Sequence, residues 1–298
     1  MVTRFGSVKF DSHTSIQGGS LEIGNVGEQG TPLHLYSPNE FDPACGSQDF
    51  VLAGGLLALP IQYKHLGESL VANNHRLTVF GHDHHFHQWP IRANAADILS
   101  GFHKLELEHF TAIGHSMGTI AVLLALEEDA FAKATNMVIE VDPAMTGNHM
   151  LYKPKDYLHM VQEAQKLTIK HPADAFLYAY GAVNEIRRRP LVIGNQMLRL
   201  VTGVVHQRYE ELTAKHPDTP FVVIFNHNDG LVPEEWSASL QGDNMHVYVH
   251  HSPEGLAHSA INVDPTMADG IIQFATKHRP PDTFVPVYHG DWLNAQAA

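Results

Sequence analysis

The sequence predicts an α/β domain with a mostly parallel central sheet, helices on both faces, and a helical insertion. Between residues 49 and 141, short apolar runs alternate with longer helical stretches. This alternation is typical of parallel strands joined by helical crossovers. It stops at residue 145 and resumes at residue 221, so the stretch between is predicted to be an insertion in one α/β unit.

The first half of the chain gives most of the sheet. Residues 6–11 and 31–36 have strand composition, and the Gly-rich stretch 18–30 between them is predicted to be turn. The following strands are predicted at 49–53, 75–80, 110–113 and 137–141. The helices between them are predicted at 61–74, 93–107 and 117–129.

The second half holds the insertion and the end of the sheet. Helices are predicted at 154–169, 172–188 and 191–215, punctuated by Pro172 and Pro190. Strands at 221–225 and 245–249 and a helix at 264–277 then complete the α/β pattern. We therefore assign 1–144 and 217–298 to the core domain and 145–216 to the insertion. The tail, 280–298, is expected to be loosely ordered.

Composition excludes several classes of protein. Hydrophobic residues make up 44% and charged residues 17% of the 298, which is not the composition of a disordered chain. The net charge of −13 argues against binding to nucleic acid or to an anionic membrane surface. A single cysteine, Cys45, leaves no intrachain disulfide and no cysteine-rich metal site.

The sequence pattern also predicts neither a targeting signal nor a membrane span. The longest apolar run, residues 50–61, is well short of the about 20 residues that a spanning helix needs. No apolar signal core follows Met1. We therefore expect a cytoplasmic protein without a membrane span, and the sequence leaves a homo-oligomer open.

A G-x-S-x-G motif at 114–118 supplies the candidate nucleophile. It follows the apolar strand 110–113 and opens an apolar helix, which is the strand–turn–helix setting this motif requires. The sharp turn would raise the Ser116 hydroxyl above the sheet, and Gly114 and Gly118 would avoid collisions with the adjacent strand and helix. The alternative is that Ser116 merely caps the helix.

A serine hydroxyl needs a base, and the base needs an orienting carboxylate. Asp229 lies on the loop after the strand 221–225, and His258 on the loop after the last predicted strand. Both are at the carboxyl ends of strands, where sites on parallel sheets form. Rivals remain for both roles: Asp142, after an earlier strand, for the acid, and His250 or His251 for the base.

These residues resemble the α/β-hydrolase fold superfamily, and specifically its esterase-like serine hydrolases with a helical cap, over about residues 30–280. The resemblance is carried by G-H-S-M-G at 114–118, N-D-G-L-V-P at 228–233 and G-x-x-H at 255–258. It implies Ser116 as nucleophile, Asp229 as acid and His258 as base, and it makes the insertion a cap.

The oxyanion hole is expected to consist of two backbone N–H groups. One belongs to Met117, directly after the nucleophile. The resemblance implies a second after the strand 49–53, where the family usually shows His-Gly-X and this chain has Gly54-Gly55-Leu56, so Leu56 would supply it.

The segment 82–87 departs from the family, which usually has a Gly-x-Gly turn there. Its four histidines and one aspartate suggest a metal site, but their order does not fit the metallo-hydrolase pattern H-x-H-x-D-H. We interpret the cluster from His82 to His87 as polar side chains near the pocket mouth, a solvated loop or an intersubunit contact. We predict neither a metal nor a cofactor.

The predicted function is cleavage of small-molecule carboxylic esters through an acyl-enzyme. The apolar residues of the insertion favour apolar groups on the substrate. C–C bond hydrolases, lactonases and thioesterases use the same triad and stay open as alternatives. So does a ligand-binding protein of this fold with little turnover.

Overall fold

A ten-stranded sheet organises the part of the chain that the computed structural model describes, residues 8–26, 31–55, 58–81, 90–144, 154–188 and 211–289. The strand order is β1-β2-β3-β5-β4-β6-β7-β8-β9-β10. The strands are β1 Lys9–Ile16, β2 Gly19–Val26, β3 Thr31–Pro38, β4 Asp49–Ala53, β5 Arg76–Phe80, β6 Phe110–His115, β7 Thr135–Val141, β8 Phe221–Asn226, β9 Met245–His250 and β10 Phe284–His289.

The centre of the sheet is parallel and its two edges are antiparallel. Strands β5, β4, β6, β7, β8 and β9 pair in parallel, while β1, β2 and β3 form an antiparallel meander that joins β5. Every residue of β5, β6, β8 and β9 is buried, whereas β1 at the edge is mostly exposed. Burial on both faces explains the near-continuous apolar runs of the central strands.

Helices cover both faces of the sheet. They are α1 Lys64–Ala72, α2 Pro90–Leu105, α3 Gly118–Ala125, α4 Asp129–Ala134, α5 Pro154–Lys170, α6 Pro172–Arg188, α7 Ala260–Val263 and α8 Pro265–Lys277. Residues 211–215 are also helical. In the described ranges, no helix combines the length and the apolar character needed to cross a membrane.

Two hydrophobic cores follow from the alternation of side chains along the strands. Val51 packs in the core beneath α2, α3 and α4, while its neighbours Phe50 and Leu52 pack in the opposite core with α1 and α8. Successive side chains of a strand point to opposite faces, so one buried strand serves both cores. The predicted mostly parallel α/β sheet is therefore correct.

The Gly-rich stretch 18–30 was expected to be turn, and this expectation is wrong for most of its described part. Gly18 lies in a turn, but Gly19–Val26 forms β2 between β1 and β3, and 27–30 lie outside the described residues. A Cβ at Gly19 would lie 2.1 Å from Ser37 O, and one at Gly24 would lie 2.4 Å from Lys9 O. These glycines permit close approach of neighbouring backbones, which the composition does not distinguish from turn formation.

Several further elements differ from the predictions. The first strand begins at Lys9. The stretch 117–129 was predicted as one helix but divides into α3 and the start of α4, because the Glu128 side chain accepts from Phe131 N–H and so caps a new helix. The tail, expected to be loose, contributes β10, which pairs antiparallel with β9. Pro286 is tolerated there because β10 is an edge strand with a bulge after that residue.

The first two insertion helices are confirmed. The predicted 154–169 corresponds to α5, and 172–188 corresponds to α6. Of the third predicted helix, 191–215, only 211–215 belongs to the described residues.

Candidate active site

Ser116 occupies a sharp turn between β6, which ends at His115, and α3, which begins at Gly118. Its φ of 53° lies in the left-handed region, which costs a non-glycine residue about 1–2 kcal/mol. The backbone is held there by three hydrogen bonds: Ser116 N–H donates to Val141 O (2.9 Å), and the Thr119 and Ala144 N–H groups both donate to Ser116 O (3.2 Å each). The residue is partly exposed, so its hydroxyl is not sealed in the core.

The two motif glycines are required by close contacts on either side of the turn. A Cβ on Gly114 would lie 2.6 Å from Thr119 Cα, in α3, and a Cβ on Gly118 would lie 2.1 Å from Ala53 O, at the end of β4. Both contacts are with backbone atoms, so a change of side-chain rotamer cannot relieve them. The collisions expected from the sequence are confirmed.

Asp229 and His258 are brought together from loops that follow β8 and β9. Nδ1 of His258 lies 2.8 Å from Oδ2 of Asp229. The other oxygen, Oδ1, accepts the N–H groups of Leu231 (2.6 Å) and Val232 (3.0 Å). The carboxylate is buried, and these three bonds fix its orientation, so Nδ1 of His258 carries the proton it donates and Nε2 can act as acceptor.

Ser116 lies at the same end of the sheet as this pair. It follows β6, whose carboxyl end points the same way as those of β8 and β9 because all three strands are parallel through β7. The ring of the preceding residue, His115, lies 4.9 Å from the His258 ring, centroid to centroid. The turn, the carboxylate and the imidazole therefore share one rim.

The electrostatics of the rim favour a charged imidazole. Burial opposes protonation of His258, but the charge and hydrogen bond of Asp229, with smaller contributions from Asp142 and Glu163, outweigh it and raise the His258 pKa to about 9. A positive charge that develops on this ring is therefore stabilised.

Asp142, the rival acid, is buried beside the same pair but is bound elsewhere. It accepts hydrogen bonds from Asn226 N (2.8 Å) and Asn226 Nδ2 (2.6 Å), whereas His258 Nδ1 pairs with Asp229. Burial first, and then the neighbouring Asp229 charge, raise the pKa of Asp142 well above its usual value. Its φ of 45° places it in strained backbone directly after β7.

The two rival histidines occupy other positions. His250 is buried at the end of β9, where Nδ1 lies 2.8 Å from Asn226 Oδ1 and Nε2 lies 3.0 Å from Thr266 Oγ1. Burial lowers the pKa of His250 to about 4. His251 is exposed and its ring lies beside that of His227, with centroids 4.4 Å apart and the ring planes tilted by 31°. Neither makes the carboxylate contact that His258 makes.

A buried chain of hydrogen bonds, which the sequence analysis missed, runs beneath the serine turn. Gly55 N–H donates to the Tyr63 hydroxyl (2.9 Å), which lies 2.9 Å from His115 Nδ1, and His115 Nε2 lies 3.1 Å from the backbone carbonyl of His258. A carbonyl only accepts, so Nε2 carries the proton and Nδ1 accepts from Tyr63. Burial first, and then repulsion from His258, keep the pKa of His115 well below its usual value, so the ring is neutral.

The only sequence signal for these buried hydrogen bonds is a histidine inside the G-x-S-x-G motif. Its partner Tyr63 is 52 positions earlier, on a short 3-10 turn before α1, and no local pattern links the two.

Within the described ranges, one group of side chains has the proximity of a metal site. Single ligand atoms of His115, Asp142 and His258 lie within 4.8 Å of one another. However, both ring nitrogens of His115 are engaged in the hydrogen bonds above, and Nδ1 of His258 is bonded to Asp229. We assign no metal role to these three.

The expected oxyanion donors are only partly described. Met117 is buried directly before α3, and its N–H has no partner among the residues that the structure describes. Leu56 and the cluster His82–His87 lie outside those residues. At the adjacent Gly55, a Cβ would lie 3.1 Å from the Ser116 Cβ, so this loop reaches the serine.

Comparison with known proteins finds the same architecture at low sequence identity. No family model matches the chain. No curated protein matches it either. Solved structures do: a bromoperoxidase from Bacillus anthracis has a TM-score of 0.62 and 13% identity, over 90% of this chain and 99% of that one.

Two further structures carry the same similarity. The naproxen esterase of Bacillus subtilis has a TM-score of 0.55 and 11% identity, over 91% of this chain and 93% of that one. An alpha/beta hydrolase from the metagenome of sediments of the Mar Chica lagoon, Morocco, has a TM-score of 0.56 and 12% identity, over 86% and 98%. From the sheet order, the serine turn and these similarities, we conclude that this chain has the α/β-hydrolase fold.

Proposed function

We propose that this protein is a serine hydrolase of carboxylic esters, with Ser116 as nucleophile, His258 as general base and Asp229 as the acid that orients it. The observation that carries the proposal is the 2.8 Å hydrogen bond between His258 Nδ1 and the buried Asp229 carboxylate. It lies at the same end of the sheet as Ser116, whose backbone has a left-handed conformation. This combination serves no evident packing purpose, because it places strain and a buried charge beside a partly exposed hydroxyl.

The geometry suits a two-step acyl transfer. His258 Nε2 takes the proton of the Ser116 hydroxyl as Oγ attacks the ester carbonyl, and the Asp229 carboxylate stabilises the imidazolium that forms. The tetrahedral intermediate collapses, the C–O bond to the alcohol breaks, and His258 returns the proton to the leaving alcohol. Water, deprotonated by His258, then attacks the acyl-enzyme and releases the carboxylic acid and the free serine.

The developing oxyanion needs two donors in a fixed position. We assign Met117 N–H as one, since it follows the nucleophile and heads α3. We assign Leu56 N–H as the other, by the resemblance described above. Both donors are backbone groups, so the proposal requires no cofactor and no metal.

We also propose that residues 145–216 form a cap over this rim. The described part of that segment contacts the loops that carry the proposed acid and base, and also the 3-10 turn before α1. A Cβ at Gly230, beside Asp229, would lie 2.1 Å from Asp156 O of α5, and Ala257 N–H, beside His258, donates to Glu163 Oε1 of α5 (3.1 Å). Gln62 Nε2, on the 3-10 turn, donates to Leu177 O of α6 (3.3 Å). Apolar groups of this segment would then favour an ester with apolar acyl or alcohol groups.

The test is turnover of p-nitrophenyl esters of several acyl lengths by the wild type and by Ser116→Ala, followed by lactone, thioester and diketone panels. We expect ester cleavage, with a burst of p-nitrophenol when deacylation is slow, and none in the variant. Turnover confined to lactones, thioesters or diketones would move the activity to another bond. Absence of any Ser116-dependent release would instead identify a ligand-binding protein of this fold.

A further inference from the structure

One carboxylate of helix α5 holds the backbone on both sides of His258. Oε1 of Glu163 accepts hydrogen bonds from Ala257 N–H (3.1 Å), from Ser259 N–H (2.7 Å) and from the Ser259 hydroxyl (2.7 Å). Three donors thus converge on a single oxygen, and two of them are the peptide groups that flank the proposed base.

The same face of α5 contacts the rest of this loop. Lys166 Nζ donates to Gly255 O (2.8 Å), Lys170 Nζ donates to Glu254 O (3.1 Å), and His171 Nε2 lies 2.8 Å from a Glu254 carboxylate oxygen. Lys166 and Lys170 lie at positions i+3 and i+7 from Glu163, on one side of α5, and His171 directly follows the helix. The lysine contacts are exposed and individually weak, whereas those of Glu163 are partly buried and charge-assisted.

The loop needs such support because it has little regular structure of its own. Residues 251–259 connect β9 to α7 without helix or strand, and Gly255 has a φ of +66°, in the left-handed region. On the opposite side, the His258 carbonyl accepts from His115 Nε2 (3.1 Å). The His258 imidazole is therefore held by Asp229, the His258 backbone carbonyl by His115, and the two peptide groups that flank His258 by Glu163.

We propose that Glu163 is a positioning residue for the base. Through its hydrogen bonds to Ala257 and Ser259, the packing of helix α5 against the loop fixes the position of the His258 imidazole. This inference rests on the proposed function for the role of His258. Glu163 binds the two flanking peptides and the Ser259 hydroxyl and does not touch the reacting atoms. Its charge also makes a small contribution to the raised His258 pKa, which Glu163→Gln removes while keeping the acceptor. Catalysis is steep in geometry, because a displacement of about 1 Å can cost on the order of 10²-fold in rate.

The chain offers a graded set of variants. Glu163→Ala removes the acceptor from all three donors. Glu163→Asp keeps the charge but withdraws it by one methylene, and Glu163→Gln keeps an acceptor oxygen at full length. Gln162→Ala, at an exposed position of the same helix, is the matched control.

Two measurements are made on each variant: steady-state ester cleavage, and the far-downfield proton resonance of the His258 Nδ1–H bonded to Asp229, assigned by its loss in Asp229→Asn. We expect Glu163→Ala and Glu163→Asp to lower kcat by about tenfold or more, with KM changed less than about threefold. We also expect both to weaken or shift the resonance. Glu163→Gln should restore most of kcat, and Gln162→Ala should match the wild type.

Wild-type kcat and an unchanged resonance in Glu163→Asp or Glu163→Ala would overturn the proposal. If Glu163→Ala does not fold, the charge-conserving Glu163→Asp decides the question. If the wild type shows no ester turnover, the proposed function fails, but the resonance still reports whether Glu163 positions His258. The two failures are therefore distinguishable.

Discussion

The Tyr63 hydroxyl lies 2.9 Å from Nδ1 of His115, the residue that directly precedes Ser116. The hydroxyl also accepts the Gly55 N–H, so one side chain joins the loop after β4 to the serine turn. Both rings are buried, and burial raises the pKa of Tyr63, which therefore stays protonated and donates. This contact makes the two sides of the proposed oxyanion hole a single unit.

Tyr63→Phe should destabilise the fold and impair turnover. It removes a buried acceptor from Gly55 N–H and the donor to His115 Nδ1, and such a loss costs about 1–3 kcal/mol. We expect a lower midpoint in urea unfolding at an unchanged m-value. We also expect a larger fall in kcat than in KM, because the N–H groups for the oxyanion act in the transition state. If Tyr63→Phe equals the wild type in both stability and kcat, the Tyr63 hydrogen bonds do not position the oxyanion donors.

Replacing Ser116 should separate chemistry from backbone strain. Ser116→Ala and Ser116→Gly should both lose ester cleavage, since neither has a nucleophile. Only glycine relieves the left-handed backbone at φ 53°, so Ser116→Gly should be more stable than Ser116→Ala by about 1 kcal/mol in thermal or urea unfolding. An alanine variant as stable as the glycine variant would mean that the turn holds no strain.

Activity should rise with pH up to about pH 9. His258 must be neutral to accept the serine proton, and its pKa is raised to about 9. Below that value kcat/KM should fall about tenfold per pH unit. A pH–rate profile on a neutral ester checks this, and a limb at the ordinary histidine value near pH 6.5 would contradict it.

The same shift should appear in stability with a defined sign. Because the folded pKa of His258 lies above its unfolded value, its stabilising contribution is complete below about pH 6.5 and is lost as pH rises through about 9. The free energy of unfolding should therefore decrease across that window in the wild type. The decrease should be smaller in His258→Gln, measured by urea unfolding at matched pH values, and an identical slope in both would refute the assignment.

Substitution of each buried carboxylate should distinguish the acid from its rival. In Asp229→Asn an amide can face His258 Nδ1 and force the proton onto Nε2, so kcat should fall on the order of 10⁴-fold. Asp142→Asn leaves the Asp229–His258 bond in place, so kcat should fall less than about tenfold. Its pH limb should also move to lower pH, because the Asp142 charge raises the His258 pKa. The reverse ranking would make Asp142 the acid.

The parallel core and its order of elements were predictable because periodicity is a local property. The apolar runs at 49–53 and 221–225 coincide with β4 and β8 almost residue for residue, as do the insertion helices with α5 and α6. The strands β2 and β10 were not predicted. Gly19 and Gly24 in β2, and Pro286 in β10, are residues that usually mark turns, and pairing with neighbouring strands overrode that preference.

By itself, the sequence determined the α/β architecture, the strand–turn–helix around Ser116 and the loops on which Asp229 and His258 lie, since each is encoded by neighbouring residues. Tertiary structure alone decided that His258 pairs with Asp229 while Asp142 binds Asn226. It also decided that Tyr63, His115 and Glu163 form hydrogen bonds with the loops that carry the proposed site. Such pairs lie tens of residues apart, and only strand order and helix packing set the distance between their atoms.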